Sequence, residues 1–186
     1  MEYILSDKYK LVKEALLKET SDNPITIVKN IMHKDFINIH GPEHHYLDGG
    51  AMLVAMYNNG YKMDLENNLD KLAERTIKMP GAMCGFWGMC GSVASIGAVF
   101  SLLDNTGPLS NDINYSKHMK YTSSVINKMS EIGGPRCCKR NAFISLMEGV
   151  KYSNMNYGTN IKIDEVKCEF TSFNKDCIKD RCPFHK

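Results

Sequence analysis

The chain reads as an all-α protein: a single globular helical bundle around a buried Gly/Ala-rich helix, with an irregular cysteine-bearing C-terminal tail. Three observations predict this. Helix start and stop signals recur along most of the sequence, with little strand-like alternation between them. One apolar segment, Gly-Ser-Val-Ala-Ser-Ile-Gly-Ala-Val-Phe-Ser-Leu-Leu at 91–103, carries the small residues that suit a tightly packed core helix. At 186 residues the chain is long enough for one domain with a proper core.

Taken in order, Ser6 is placed to cap a first helix reaching about Lys18, with Tyr9, Leu11, Val12, Ala15 and Leu16 near helical spacing. Asn23-Pro24 is a cap followed by proline at the first helical position, and opens a helix to about His33. Gly41-Pro42-Glu43 opens a third by the same logic, running through Leu47, Ala51, Met52, Val54, Ala55 and Met56 to Gly60. Asp64 caps a fourth over 65–78, stopped by Pro80-Gly81. The 91–103 helix is the fifth and the expected centre. A loop at 104–108 precedes a sixth helix over about 115–132, broken by Gly133-Gly134-Pro135. The seventh covers about 141–152, and 154–158 reads as loop. Only 159–166 has the alternation and branching of a strand. Residues 1–166 thus form a helical domain, and 167–186 a cysteine-rich tail packed on it.

Composition narrows the function classes. The net charge is +2 with both signs interspersed, which argues against a nucleic-acid partner. The start of the chain has no cationic, then apolar, secretory pattern. The 91–103 stretch falls short of the roughly 20 residues that span a bilayer. The expectation is a cytoplasmic protein without a membrane role. In that compartment seven cysteines point to metal or catalysis rather than a disulfide framework.

The cysteines fall in three groups at breaks between helices. Cys84 and Cys90 bracket Gly85-Phe86-Trp87-Gly88-Met89, where glycines let the backbone loop tightly and aromatics are placed to shield a cofactor site. Cys137 and Cys138 are adjacent and stand before a helix start. Arg136, Lys139 and the helix amino end all favour the thiolate there, so a reactive low-pKa thiol is expected. Cys168, Cys177 and Cys182-Pro183 are the most ligand-like, since cysteine followed by proline occurs in ferredoxin-type loops. They suit a 4Fe-4S cluster; the alternative is zinc, with His185 as a fourth ligand.

His40-Gly41-Pro42-Glu43-His44-His45 formally contains H-x-x-E-H, a reversed zinc-peptidase pattern. That pattern works only inside one helix, and Gly41-Pro42 starts the helix between its histidines. The expectation is instead that His40, Glu43 and His44 handle protons or bind substrate at a helix amino end. His44 is expected to face the core beside a cysteine group, with His45 facing away. No phosphate-loop or dinucleotide fingerprint is present.

Four motifs occur in order: His40-Gly41-Pro42-Glu43-His44-His45, then Pro80-Gly81-Ala82-Met83-Cys84-Gly85-Phe86-Trp87-Gly88-Met89-Cys90-Gly91, then Gly133-Gly134-Pro135-Arg136-Cys137-Cys138-Lys139-Arg140, then Cys182-Pro183. Together they resemble an uncharacterised cysteine-rich domain family of anaerobic microbes, standing alone or fused to radical-SAM domains. The resemblance implies anaerobic metabolism and a radical-SAM or other iron–sulfur partner protein. This chain lacks the radical-SAM C-x3-C-x2-C motif. The resulting expectation is an iron–sulfur protein that performs or assists thiolate or sulfur redox chemistry on an unidentified small molecule. Its alternative is a non-catalytic cluster-binding or metal-binding accessory module.

Overall fold

Helix boundaries follow capping chemistry. The structure, a computed structural model, describes residues 2–185, with side chains from Ser6 onward. Its helices are α1 (Glu2–Leu16), α2 (Pro24–Met32), α3 (Glu43–Asn58), α4 (Leu65–Thr76), α5 (Met83–Phe86), α6 (Gly91–Leu103), α7 (Ile113–Ile132) and α8 (Cys138–Asn156). Asn23 Oδ1 accepts from the N–H groups of Ile25 (2.9 Å) and Thr26 (3.4 Å), with Pro24 at the first helical position. Asp64 Oδ1 accepts from Asn67 N–H at 3.1 Å. Gly60, at φ +96°, closes the end of α3.

Three boundaries differ from the sequence reading, each for a local reason. Ser6 is not a cap, because α1 already begins at Glu2. Helix α7 starts at Ile113 because Asp112 accepts from the N–H groups of Asn114 and Tyr115. Helix α8 starts at Cys138 because Cys137 is its cap, its Sγ accepting from Arg140 N–H at 3.5 Å. It also runs on to Asn156, through the start of the expected loop. The short α5 was not expected.

The 159–166 segment is irregular, and no strand occurs among the described residues. Its backbone is satisfied by side chains instead of a partner strand. Asn154 Nδ2 donates to the Ile161 carbonyl (2.9 Å), Ile161 N–H donates to Asn154 Oδ1 (3.0 Å), and Asn160 N–H donates to Asn59 Oδ1 (2.8 Å). Ile161 and Val166 are buried in the core.

The bundle has two central helices rather than one. Every residue of α3 from Glu43 to Met56 is buried, and α3 packs on α1, α2, α4, α6 and α8. Helix α6 packs on α3, α4, α7 and α8. A helix enclosed on all sides needs apolar or small residues all round, which is what 49–56 supplies. Gly49 marks the α3–α6 crossing: a Cβ there would lie 2.2 Å from Ser95 Oγ and 3.2 Å from the Ser95 carbonyl oxygen.

The tail folds back on α2 and α8. Phe170 and Phe184 are buried, Phe184 packs edge-to-face on Phe143 with ring centroids 5.4 Å apart, and Cys168 N–H donates to the Phe184 carbonyl at 2.8 Å. Glu169 pairs with Lys29 and with His33, the latter at 3.0 Å. No helix among the described residues is long and apolar enough to cross a membrane.

Gly49→Ala is expected to destabilise the fold by about 1–3 kcal/mol, since α6 backbone stands in the way of the new methyl. Gly107→Ala, where a Cβ meets nothing within 4 Å, should fall within about 0.5 kcal/mol of the parent. Urea denaturation of both variants checks the contrast.

Candidate functional site

Four cysteines far apart in sequence line one narrow cavity. Cys137, at the amino end of α8, faces Cys168, Cys177 and Cys182 of the tail, over an apolar wall of Phe143, Phe170 and Phe184. Backbone N–H groups point at three of the four sulfurs: Arg140 at Cys137 (3.5 Å), Phe170 at Cys168 (3.4 Å) and Lys179 at Cys177 (3.4 Å). Lys179 reaches Cys177 from a left-handed conformation (φ +46°) that a lysine rarely adopts. Burial raises the Cys168 thiol, and the neighbouring Cys137 and Cys182 raise it further. The cavity encloses about 20 Å³. Among the described residues, no three His, Cys, Asp or Glu side chains converge closely enough to hold a single metal ion.

A second cavity, of about 210 Å³, lies on the other side of Cys137. Its walls come from the amino ends of α3, α6 and α8 and from the 81–84 loop, and include His40, His44, His45, Asp48, Cys84, Cys90, Ser92, Cys138 and Asn141. Ala82 takes a left-handed conformation (φ +63°) where this loop enters α5. Gly91 is required at the start of α6, since a Cβ there would stand 2.2 Å from the His45 ring.

His40 sits in the wall between the cavities. Its Nδ1 accepts from Cys138 N–H (3.4 Å), so the proton is on Nε2, which donates to Asn174 Oδ1 (3.2 Å). The Asn174 amide in turn donates to Cys137 Sγ at 3.6 Å. Burial lowers the His40 pKa. His44 is fully buried and its pKa lies well below the usual value, first through burial and then through Lys139. Lys139 Nζ lies 2.9 Å from the Asn38 carbonyl oxygen and 3.1 Å from His44 Nε2, which is itself 3.0 Å from that oxygen; an ammonium has only donors, so it donates to both and Nε2 accepts. That leaves the His44 proton on Nδ1, which has no protein partner.

Asp48 is the residue that the sequence reading missed. It lies one turn beyond His44, is 0% exposed, and neither carboxylate oxygen has a hydrogen-bond partner of sound geometry. Ser92 stands beside it with its own hydroxyl unsatisfied. Burial pushes the Asp48 pKa up to about 8. The available signal was a carboxylate four residues after His44, at the edge of an otherwise apolar helix. Asn141, which donates to Cys90 Sγ at 3.4 Å, and Asn174 were also missed.

The structure therefore brings together His40, His44, Cys84, Cys90, Cys137 and Cys138 at the second cavity, and Cys137 with Cys168, Cys177 and Cys182 at the first. Four expectations are corrected. Glu43 lines neither cavity: its carboxylate accepts from Asn38 N–H (2.8 Å), pairs with Lys8 (3.4 Å) and clamps the loop over Gly41. His45 does not face away, because α3 has no solvent side at this level. Phe86 and Trp87 do not shield a site, being 81% and 67% exposed. Cys138 is no acidified thiol: burial pushes it up to about 12 and outweighs the lowering by Lys139.

A helical bundle with a cavity walled by cysteine and histidine at helix amino ends, backed by a four-cysteine tail site, defines the class of protein. The chain belongs to a family of unknown function (DUF5714), whose model matches residues 12–185. Comparison with curated proteins and with solved structures gives no match.

The Asp48 carboxyl dictates a pH signature. Between its unfolded value near 4 and about pH 8, the unfolded chain releases a proton that the folded chain keeps. Stability therefore falls through that window, by about 1.4 kcal/mol for each pH unit, and levels off above it. Asp48→Asn removes this slope. Its advantage over the parent in urea denaturation should grow from pH 5 to pH 8, and a constant difference would refute the assignment.

Proposed function

We propose that this is an iron–sulfur protein in which Cys137, Cys168, Cys177 and Cys182 cradle a 4Fe-4S cluster serving redox chemistry at the adjoining cavity. One observation carries the reading: a cysteine from the α8 cap joins the three tail cysteines on a single cavity, with backbone N–H groups aimed at three of the sulfurs. Hydrogen bonds to cluster sulfurs and an apolar shell are the protein's means of setting a cluster's potential. The apolar wall and the N–H groups here suit that purpose. The cluster would supply single electrons. The chain's own residues bind and orient what it acts on, exclude water and hold protons. Cys84 and Cys90 belong to that second cavity rather than to the ligand set. Admitting a cluster to the present 20 Å³ requires the 174–182 loops to move outward.

The shared Cys137 wall favours an enzyme over an accessory module, since a module has no need of a buried histidine pocket against its cluster. A cytosolic, anaerobic setting and a radical-SAM or other iron–sulfur electron partner fit the motif resemblance. The second reading is zinc, which the small volume favours. It requires the thiols to converge on one ion at about 2.3 Å, with His185 available at the cavity edge.

Anaerobically prepared protein is expected to hold about four iron and four sulfide per chain. Cys137→Ser should lose that content as fully as Cys177→Ser, while Cys84→Ser keeps it. Stoichiometric zinc without iron would establish the second reading instead. Full iron in the Cys137 variant would remove that residue from the ligand set.

A further inference from the structure

Residues of the 210 Å³ cavity wall carry a cluster of buried polar atoms that the protein itself leaves unsatisfied. Asp48 Oδ1 and Oδ2, His44 Nδ1, His45 Nδ1 and Ser92 Oγ are all buried and without a protein hydrogen bond of sound geometry, although Ser92 stands beside Asp48 and the Met79 backbone near His45. All belong to residues lining this one cavity. They are five of the twelve such side-chain atoms among the described residues, so the deficit is concentrated here. Buried polar groups are ordinarily paired, and each orphan costs about 1–3 kcal/mol. A group of them around an enclosed space marks the place of a guest that supplies the missing partners.

The charges facing the cavity indicate the guest's sign. Helices α3, α6 and α8, each longer than two turns, all begin at its wall and turn their positive dipole ends toward it. Arg136 lines its mouth, and the Lys139 ammonium stands directly behind His44. Asp48 is the one acidic side chain in the lining. Its burial keeps it protonated at neutral pH, which makes it a donor. His44, held by Lys139 with its proton on Nδ1, is another donor, and Ser92 is a third. A cationic guest would meet two fixed cations, three helix amino ends and a carboxyl that is not ionised.

We propose that this cavity is a binding site for a small oxyanion, a carboxylate or an inorganic oxyanion, held by the Asp48 carboxyl, the His44 and His45 imidazoles and the Ser92 hydroxyl. The space admits on the order of ten non-hydrogen atoms, by the close packing of protein interiors, which excludes nucleotides and peptides. The guest lies against Cys138 and against the Cys137 wall, which places it next to the four-cysteine cavity. The site uses a different set of atoms from the proposed cluster, so it stands or falls independently of iron content.

The test is a titration of the purified full-length protein, prepared anaerobically, at constant ionic strength. Sodium acetate and sodium oxalate form one arm, sodium phosphate and sodium sulfite a second. Sodium chloride and methylammonium chloride are controls. Binding is read by calorimetry and by the unfolding temperature. At least one oxyanion should bind saturably and raise the unfolding temperature by several degrees, as ligand linkage requires. Asp48→Ala should weaken that binding at least tenfold. Asp48→Asn, which keeps a donor and relieves the buried carboxyl, should fold well and bind within about threefold of the parent. Saturation by the carboxylates alone, or by the inorganic ions alone, identifies the source within the class. The proposal is overturned if shifts are linear and equal to those of chloride, if methylammonium saturates instead, or if Asp48→Ala binds like the parent.

Discussion

Much of the site rests on one buried ammonium. Lys139 is 1% exposed, and burial lowers its pKa. An uncompensated charge in that position would cost several kcal/mol. It is compensated from three elements at once. The Asn38 carbonyl comes from the loop before α3, the His44 imidazole from α3 itself, and the Phe170 ring, 5.3 Å away, from the tail. The side chain that satisfies the charge thus fixes the positions of all three. It sets the His44 tautomer for the second cavity and pins a wall residue of the first. The same ammonium lowers the neighbouring Cys138 thiol, but burial of that thiol outweighs it.

The second constraint is the position of Cys137. As the cap of α8 it must lie outside the helix with its sulfur turned back over the first turn, where Arg140 N–H finds it. The next residue, Cys138, has helical geometry and points to the other side. Of these adjacent cysteines, Cys137 lines both cavities and Cys138 only the second, where burial keeps its thiol protonated. The His40–Asn174 link closes the partition, running from Cys138 N–H through an imidazole and an amide to Cys137 Sγ. In a vicinal pair that reads in sequence as one redox unit, only Cys137, the residue outside the helix, also reaches the tail cysteines.

How much of this was legible follows from which forces are local. Caps act within four residues, so Asn23, Asp64 and the Gly41-Pro42 break placed α2, α4 and α3 correctly. The composition of 91–103 placed α6 to the residue. The pairing of Cys137 with Cys168, Cys177 and Cys182 depends on the tail packing through Phe170 and Phe184, which no local spacing encodes. The 159–166 segment misled because alternation ordinarily reports a strand with one buried and one solvated face. Here Asn154 and Asn59 supply the hydrogen bonds that a neighbouring strand usually gives. His45 was misassigned because two faces of a helix were expected where α3 is buried on every side. Asp48 went unread because a single acidic residue in a helix is ordinarily a solvent-facing one.

The uneven distribution of strain in the fold gives the last step. Away from the second cavity, Glu43 is engaged by Asn38 and Lys8, Arg140 by the carbonyls of Gly133 and Pro135 and Tyr121 by Ser145, and the unpaired buried atoms among the described residues are seven hydroxyls. At the cavity, the Nδ1 atoms of two imidazoles, a carboxyl and a hydroxyl are left unpaired, beside a left-handed alanine and a glycine that only His45 makes necessary. Packing alone would favour replacing these side chains with apolar ones of similar size. Their retention in the chain, against that stability cost, fits a site whose missing hydrogen bonds are completed by a ligand rather than by the protein.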